Sequence, residues 1–150
     1  MNAPRNPVRS PEVVIDVSAI PNELSGAGRY IWYVTSGLAA RDSLVVDLVT
    51  RRSDATRWRS AMPRARCASA APDGTAARVA FGEFGLSTTI ARSFPGAQVF
   101  FGPHYTMPKR LRIPAVVTIH DLTLIENPEW HERVKSAYFR HAIAYAARHA

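Results

Sequence analysis

The sequence of 150 residues lacks any long apolar run, and this argues against one broad class of protein. A membrane-spanning helix needs about 18 or more consecutive apolar residues, and no stretch approaches that length. The first 11 residues contain three prolines and no apolar segment, so they do not resemble a secretory signal peptide. We expect residues 1–11 to form a disordered arm.

Cysteine and recognisable metal or nucleophile patterns are also scarce. Cys67 is the only cysteine, so it permits no internal disulfide, and we interpret it as a small core residue. A single free thiol fits a reducing compartment, which predicts a cytoplasmic protein. The histidines and acidic residues show no metal-ligand spacing, and no serine or cysteine nucleophile motif is present. We therefore predict no metal and no bound cofactor.

Lysine is rare, because 17 of the 19 cations are arginine, and the net charge is +7. The arginines are scattered from Arg5 to Arg148, which favours a solvated surface and predicts no nucleic-acid partner. Steering of a phosphate-bearing substrate and a dedicated polyanion surface stay open as alternatives. Four cations of the last predicted helix face either solvent or, as the alternative, the inner surface of the cell membrane: Arg133, Lys135, Arg140 and Arg148.

What the chain does contain is an alternation of short apolar runs and amphipathic segments. The predicted strands are Glu12–Ser18, Leu44–Thr50, Arg64–Ala70, Ala97–Phe101 and a run that begins at Pro114. The predicted helices are Arg29–Ala40, a short one capped by Ser53 or Asp54, Thr75–Phe94 and one from about His131. This alternation predicts an α/β fold, a Rossmann-like parallel sheet with helices on both faces.

Two finer expectations concern which side chains these elements bury. In the first helix, four apolar residues at helical spacing should face the sheet: Tyr30, Tyr33, Val34 and Leu38. The stretch Pro114–Thr123 begins as an apolar run without alternation, which is typical of a strand covered by helices on both faces. That run stops at His120 and Asp121. Because ligands bind beyond the carboxyl ends of parallel strands, we expect these two residues at a binding site.

Glycines at the start of the first helix form a second candidate site. Gly26 and Gly28 would let the backbone approach a ligand, and the helix amino end offers N–H groups that suit a diphosphate. The third glycine of a dinucleotide-binding fingerprint is missing, because Ile31 occupies its position. The alternative is a simple turn.

Two further sites carry polar groups at predicted strand ends. The loop Phe101–Pro108 presents His104 and Tyr105, which suit a sugar ring or a polar acceptor. The alternative is a proline-stiffened loop around a packed tyrosine. Asp16 interrupts the first apolar run, and it either contacts a ligand or accepts hydrogen bonds from nearby loop amides.

Together these segments resemble the amino-terminal half of the family 4 glycosyltransferases, which are retaining enzymes with the GT-B fold. The similar segments, in order, are Ile15-Asp-Val-Ser18, Ser25-Gly-Ala-Gly-Arg-Tyr-Ile31, Phe101-Gly-Pro-His-Tyr105, Val117-Thr-Ile-His-Asp-Leu122 and Pro128-Glu-Trp130. The resemblance extends from about Val13 to the last residue. Their combination in this order is more specific than any one of them.

The resemblance implies transfer of a hexose, of the mannose or glucose type, from a GDP- or UDP-sugar to a saccharide or glycolipid acceptor. The reaction would retain anomeric configuration and need no metal, and polysaccharide biosynthesis is a common setting. The donor nucleotide would lie mainly on a carboxyl-terminal domain that is absent here. Residues 12–150 would then be the acceptor-side half, a truncated piece that is inactive alone.

The same resemblance assigns roles to individual residues, which follow in three groups. Gly26, Gly28 and Arg29 would face the donor diphosphate. His120 and Asp121 would be the catalytic pair, with His120 against the donor sugar and Asp121 orienting the loop. Asp16, His104 and Tyr105 would contact the acceptor.

Two other function classes stay open. A nicotinamide-dependent oxidoreductase would use the same sheet, with Arg51 and Arg52 meeting the 2′-phosphate of NADP. A non-catalytic module that binds phosphate or a polyanion would explain the positive charge without an active site. The sequence indicates no particular oligomeric state.

Overall fold

Five parallel strands form a single sheet in a computed structural model that describes residues 10–20, 24, 26–127, 129 and 133–150. The strands are β1 (Glu12–Asp16), β2 (Val45–Arg51), β3 (Arg66–Ala71), β4 (Val99–Gly102) and β5 (Ala115–Val117). The helices are α1 (Ala27–Ala39), α2 (Ala55–Ala61), α3 (Thr75–Ala80), α4 (Leu86–Ser93), α5 (Thr123–Glu126) and α6 (Arg133–His149). The predicted Rossmann-like α/β fold is confirmed.

The strand order is β3-β2-β1-β4-β5, and every pairing is parallel. The chain therefore moves outward from β1 to β3 and then crosses back to place β4 on the other side of β1. In open parallel sheets, the loops that leave two such strands diverge, and ligands bind in the crevice beyond the carboxyl ends of the strands. The fold puts any ligand site of the usual kind at that crevice.

Alternating side chains of β1 pack into two separate cores. Ile15 belongs to a core with Ile31 of α1 and Trp58 of α2, whereas Val14 belongs to one with Ile90 of α4. Successive strand residues point to opposite faces, so α1 and α2 cover one face of the sheet and α4 covers the other. Cys67, predicted as a core residue, is only half-buried and packs against the outside of the first core.

The predicted helix Thr75–Phe94 is present but is not uniform. A π-helical segment over Phe81–Gly85 separates α3 from α4. Gly85 allows the turn, because a Cβ atom there would lie 2.8 Å from the Phe81 ring. Wide turns of this kind are typical of single interruptions in α-helices.

The predicted buried face of α1 is wrong in part. Tyr33 is 69% exposed and Tyr30 is 39% exposed, whereas the buried residues of the helix are Gly28, Ile31 and Thr35. These three lie at helical spacing, so the buried face of the helix is narrower and carries smaller side chains than the sequence predicted. At the surface, the tyrosine hydroxyls can form hydrogen bonds with a polar partner or with water, which burial against the sheet would prevent.

The expectation that the strand after Pro114 is covered on both faces is also wrong. β5 is only three residues long, pairs with β4 alone and leaves Val116 55% exposed. It ends at Val117, so His120 lies in a loop rather than at the last residue of the strand. α5 follows this loop and was not predicted. Most of the predicted arm 1–11, Ser25 and the Pro128 and Trp130 positions lie outside the described residues.

Candidate functional site

The glycine turn places the amino end of α1 at the carboxyl edge of the sheet. Gly26 has φ +48° and ψ −123°, a conformation that strongly favours glycine, and its carbonyl accepts the Arg29 amide at 3.1 Å. The first turn of α1 contains no acidic residue, and no side chain of the described residues caps it. Its N–H groups and the helix dipole therefore offer positive partial charge to an anion. The Arg29 side chain donates through Nε to the Leu24 carbonyl at 3.0 Å.

Tyr30 connects this turn to the loop after β5. Its hydroxyl forms a 3.0 Å hydrogen bond with Thr118 Oγ1, across 88 residues of sequence. The Tyr30 ring also meets the His120 imidazole edge-to-face, with ring centroids 5.0 Å apart. Gly28 is two residues from Tyr30 in the same helical turn, so the glycine turn and His120 share one edge of the sheet.

The position of His120 is fixed by a hydrogen bond to the loop after β4. Its Nε2 lies 2.9 Å from the Pro103 carbonyl oxygen. A carbonyl can only accept, so Nε2 carries the proton and donates. In the neutral ring, Nδ1 is then the hydrogen-bond acceptor, and protonation would turn it into a second donor. The loop thus presents an imidazole of defined tautomer at the edge of the sheet.

Asp121 uses both carboxylate oxygens within the protein. Oδ2 accepts the Tyr105 hydroxyl at 3.0 Å, and Oδ1 accepts the Thr123 amide at 3.0 Å and its hydroxyl at 2.6 Å. These bonds tie the His120 loop to the first turn of α5 and to the loop after β4. The arrangement fits the orienting role of Asp121 better than direct contact with a reacting group.

Tyr105 occupies a strained backbone position. Its φ is +57°, a left-handed conformation that costs a bulky residue about 1–2 kcal/mol. Its amide donates to the Thr118 carbonyl at 2.9 Å, and its side chain is buried. Burial, reinforced by the hydrogen bond to Asp121, raises the pKa of Tyr105 to about 12. Tyr105 is therefore a neutral hydrogen-bond donor that supports the loop.

An aromatic cluster continues from these loops to α6. The His104 ring lies 4.6 Å from Tyr105, 5.8 Å from His120 and 5.9 Å from Phe139 of α6, measured between centroids. The backbone at Thr106 lies very close to Gly102, because a Cβ atom at position 102 would be 2.3 Å from the Thr106 carbonyl oxygen. Only glycine fits there. The cluster offers flat apolar surface with polar ring atoms, which suits a sugar ring.

Asp16 lies at the carboxyl end of β1, on the other side of the crevice between β1 and β4. Its Oδ1 accepts the Ser18 amide at 3.0 Å, as the amide alternative for this residue predicted. Burial raises the pKa of Asp16, whereas the Ser18 bond and the charge of Arg78 oppose that shift. Tyr138 of α6 is also close enough for the charge of Asp16 to contribute to its pKa.

The structure thus brings the predicted residues to one edge, and it adds five that the sequence did not single out as site residues: Tyr30, Arg78, Thr118, Tyr138 and Phe139. Tyr30 lies two residues after Gly28, so its proximity to the glycine pair in the sequence could have identified it. The others come from elements far apart in sequence, and no local pattern marks them. Only the fold brings them together.

Arg51, which an oxidoreductase would need for a 2′-phosphate, is engaged inside the protein. It donates to the Asp54 carboxylate, and its Nη2 donates to the Ile20 carbonyl at 2.7 Å.

Among the described residues, no three metal-ligating side chains lie close enough together to hold a metal ion. No helix in the described part of the chain is long and apolar enough to cross a bilayer. Contact of α6 with a membrane surface stays a prediction.

Comparison with protein-family models, curated proteins and solved structures finds no match to this chain. Any assignment of function therefore rests on the residues at this edge of the sheet. They belong to a five-stranded parallel α/β sheet in which β1 and β4 are neighbours where the strand order reverses.

Proposed function

We propose that the chain is the acceptor-side half of a retaining hexosyltransferase that uses a nucleotide-sugar donor. The observation that carries this proposal is the contact of Tyr30 with Thr118 and His120. Through it, an uncapped helix amino end and an imidazole of fixed tautomer stand side by side at the carboxyl edge of the sheet. A nucleotide-sugar needs both an anion seat and a polar partner for its sugar.

The chemistry of glycosyl transfer fits this pairing. As the bond to the leaving phosphate breaks, negative charge grows on the phosphate and positive charge on the sugar ring. N–H groups near Gly26 and Gly28 would stabilise the phosphate, and each well-placed donor contributes about 2.7–4 kcal/mol in comparable oxyanion sites. His120 Nδ1 would accept a hydroxyl of the donor sugar and hold it in place.

The acceptor would lie along the aromatic cluster. His104 and Tyr105 present ring faces and edges beside His120, and Phe139 extends that surface from α6. Sugar rings pack their C–H faces on aromatic rings, and polar ring atoms then bind the hydroxyls. A saccharide or the sugar of a glycolipid would fit this role.

The proposal can be tested by following backbone amides with ¹H–¹⁵N correlation spectra. Addition of GDP-mannose or UDP-glucose should shift the amides of Gly28 and His120 together. The matching nucleoside diphosphate without a sugar should shift Gly28 and leave His120 nearly unchanged. His120→Ala should abolish the part of the response that depends on the sugar, whereas the exposed His149→Ala should leave it intact.

Three outcomes would count against transferase function. Nucleotide-sugars and nucleoside diphosphates could give the same shifts, which would mean that the sugar does not contact His120. NADP could shift the α1 turn where nucleotide-sugars do not, which would favour an oxidoreductase. Finally, His120→Ala could leave transfer of labelled sugar unchanged in a protein that contains both halves, where we expect a loss of at least about tenfold, or about 1.4 kcal/mol.

A further inference from the structure

Arg78 of α3 is a half-buried cation without a directly paired acid. Its Nη1 donates to the backbone carbonyl of Asp73 at 2.7 Å. Among the described carboxylates, none forms an ion pair with it. Burying a guanidinium is costly unless a negative group compensates its charge. Within the described part of the chain, the charge of the Arg78 guanidinium is therefore not compensated by an ion pair.

The acidic groups around Arg78 are already engaged by other donors. Asp54 pairs with Arg51, the exposed Asp73 accepts the Ser53 amide and hydroxyl, and Asp16 accepts the Ser18 amide. Their charges reach Arg78 only through space. They lower the local positive potential without occupying the hydrogen-bonding fork of Arg78.

A second guanidinium faces the same region. Arg51 is the last residue of β2, two residues before Ser53, which donates to the Asp73 carboxylate, and the Asp73 carbonyl in turn accepts Arg78 Nη1. Burial lowers the pKa of Arg78, and the positive charge of Arg51 adds to that shift. Arg51 is held by Asp54 and by the Ile20 carbonyl, so it cannot move away easily. Two guanidinium groups held near each other repel, and an oxyanion between or beside them would relieve that repulsion.

These groups lie beside the crevice already described. Asp16 is the last residue of β1, and the loop that follows it is bound by Arg51, whose Nη2 donates to the Ile20 carbonyl at 2.7 Å. The charge of Asp16 also contributes to the pKa values of Arg78 and of Tyr138 of α6. Tyr138 in turn contacts Phe139, which lies against His104 and Tyr105 of the aromatic cluster. A ligand seated on that cluster could therefore extend toward Arg78.

We propose that Arg78, with Arg51 close by, binds an oxyanion of the ligand at the β1 end of the crevice. If the proposed function holds, this group belongs to the acceptor, and the acceptor is a saccharide that carries a phosphate or a carboxylate. The planar fork of Arg78 matches both oxyanions by paired hydrogen bonds. The binding of an anion itself does not depend on glycosyl transfer.

The test is a titration of the chain with three sugars of similar size, followed in ¹H–¹⁵N spectra. Glucose 6-phosphate and glucuronate probe the two oxyanions, and glucose is the neutral control. We expect binding of at least one charged sugar, with shifts at Arg78 and Asp16, and much weaker binding of glucose. A response to only one of the two charged sugars identifies the phosphate or the carboxylate.

Variants locate the anion. Arg78→Met keeps the aliphatic stem and should weaken binding at least about fivefold, or about 1 kcal/mol. Arg92→Met removes an exposed arginine from α4 and is the matched control, with no change expected. Asp16→Asn removes a nearby negative charge but keeps an acceptor for the Ser18 amide, so it should tighten binding by about twofold or more. Arg78→Lys should bind with intermediate affinity.

Equal affinity of the wild type and Arg78→Met would overturn the proposal, as would failure of both charged sugars to bind. Equal binding of glucose and the charged sugars would also overturn it, yet would leave the transferase proposal intact, because that proposal is decided by the nucleotide-sugar titration. If Arg78→Met does not fold, the other two variants decide the question. The proposal then requires tighter binding by Asp16→Asn and weaker binding by Arg78→Lys.

Discussion

Arg66→Met, at the amino edge of the sheet, should destabilise the protein by leaving a buried acid without its main partner. Asp47 lies within β2 and has no exposed side-chain surface, whereas Arg66, at the start of β3, is 52% exposed. The Arg66 guanidinium binds both carboxylate oxygens of Asp47, at 2.6 and 2.7 Å, and also reaches Glu12. The substitution would leave a buried carboxylate without its main partner.

The expected loss lies between two limits. Removing one partner of a fully buried ion pair costs about 3–5 kcal/mol, and breaking an exposed pair costs about 1 kcal/mol or less. Water can reach the Asp47 site once the half-exposed Arg66 side chain is shortened, so the upper limit does not apply. We expect the free energy of unfolding to fall by about 2 kcal/mol, which corresponds to about 4–8 °C in Tm for a chain of this size.

The loss should depend on pH in a defined direction. Burial raises the pKa of Asp47, and the hydrogen bond from Arg66 opposes that rise. Without Arg66, the pKa in the folded variant is higher still. The stability gap between wild type and variant is therefore full above the folded pKa of the variant, and it shrinks as the pH falls through that value and Asp47 takes up a proton.

Urea unfolding followed by tryptophan fluorescence would measure the gap, because Trp58 is buried in the core. Arg64→Met is the matched control, since Arg64 makes a similar 2.7 Å contact with Asp42 but both side chains are exposed. It should change stability by about 0.5 kcal/mol or less. Equal losses for the two variants, or a difference between wild type and Arg66→Met that does not shrink as the pH is lowered into the acid range, would refute the reasoning.

Two further predictions concern the candidate site. Gly26→Ala should destabilise the protein by about 1–3 kcal/mol through backbone strain alone, because φ is +48° and a Cβ atom has no neighbour within 4 Å. Gly37→Ala, in the interior of the same helix, should instead stabilise by about 0.5–1 kcal/mol, and urea unfolding that ranks the two variants otherwise would contradict this. In an ultraviolet titration, the tyrosine that ionises near pH 12 should disappear in Tyr105→Phe and shift downward in Asp121→Asn. Because the pKa of Tyr105 is higher in the folded state than in the unfolded state, stability should fall as the pH rises from about 10 toward 12. The fall should be smaller in Asp121→Asn. A wild type in which no tyrosine titrates this late would refute the assignment.

The fold was predictable because its signals are local. Each buried strand is a short run rich in apolar residues, and the helices between them repeat apolar residues at helical spacing. The alternation then leaves few topologies. The errors arose where burial depends on the neighbours: β5 is at the sheet edge, so its apolar run is not a sign of two covered faces. In α1, glycine and threonine rather than tyrosine face the sheet, because close packing favours small side chains.

The candidate site was predictable only in outline. Strand ends mark where polar residues gather, and this located Asp16, His104 and His120 at the carboxyl edge. The bond between Tyr30 and Thr118 joins residues 88 apart, and no local pattern encodes it. No local pattern marks Arg78 either. It stands out only because the acidic residues near it are bound by other donors. Such features depend on side-chain geometry, which periodicity does not describe.

Charged residues are paired differently at the two ends of the sheet, and this difference supports a ligand site at the carboxyl end. At the amino edge, Arg66 is paired with buried Asp47 and with Glu12. At the carboxyl edge, Arg78 has no direct acid partner among the described residues, and the first turn of α1 has no acidic residue. One acidic side chain in that turn would stabilise the helix by about 0.3–1 kcal/mol. An anionic ligand would supply the missing charge only when bound. Within the part of the chain that the structure describes, the guanidinium of Arg78 and the amino end of α1 thus leave positive groups without an ion-pair partner at the carboxyl edge, where an anionic ligand would be stabilised.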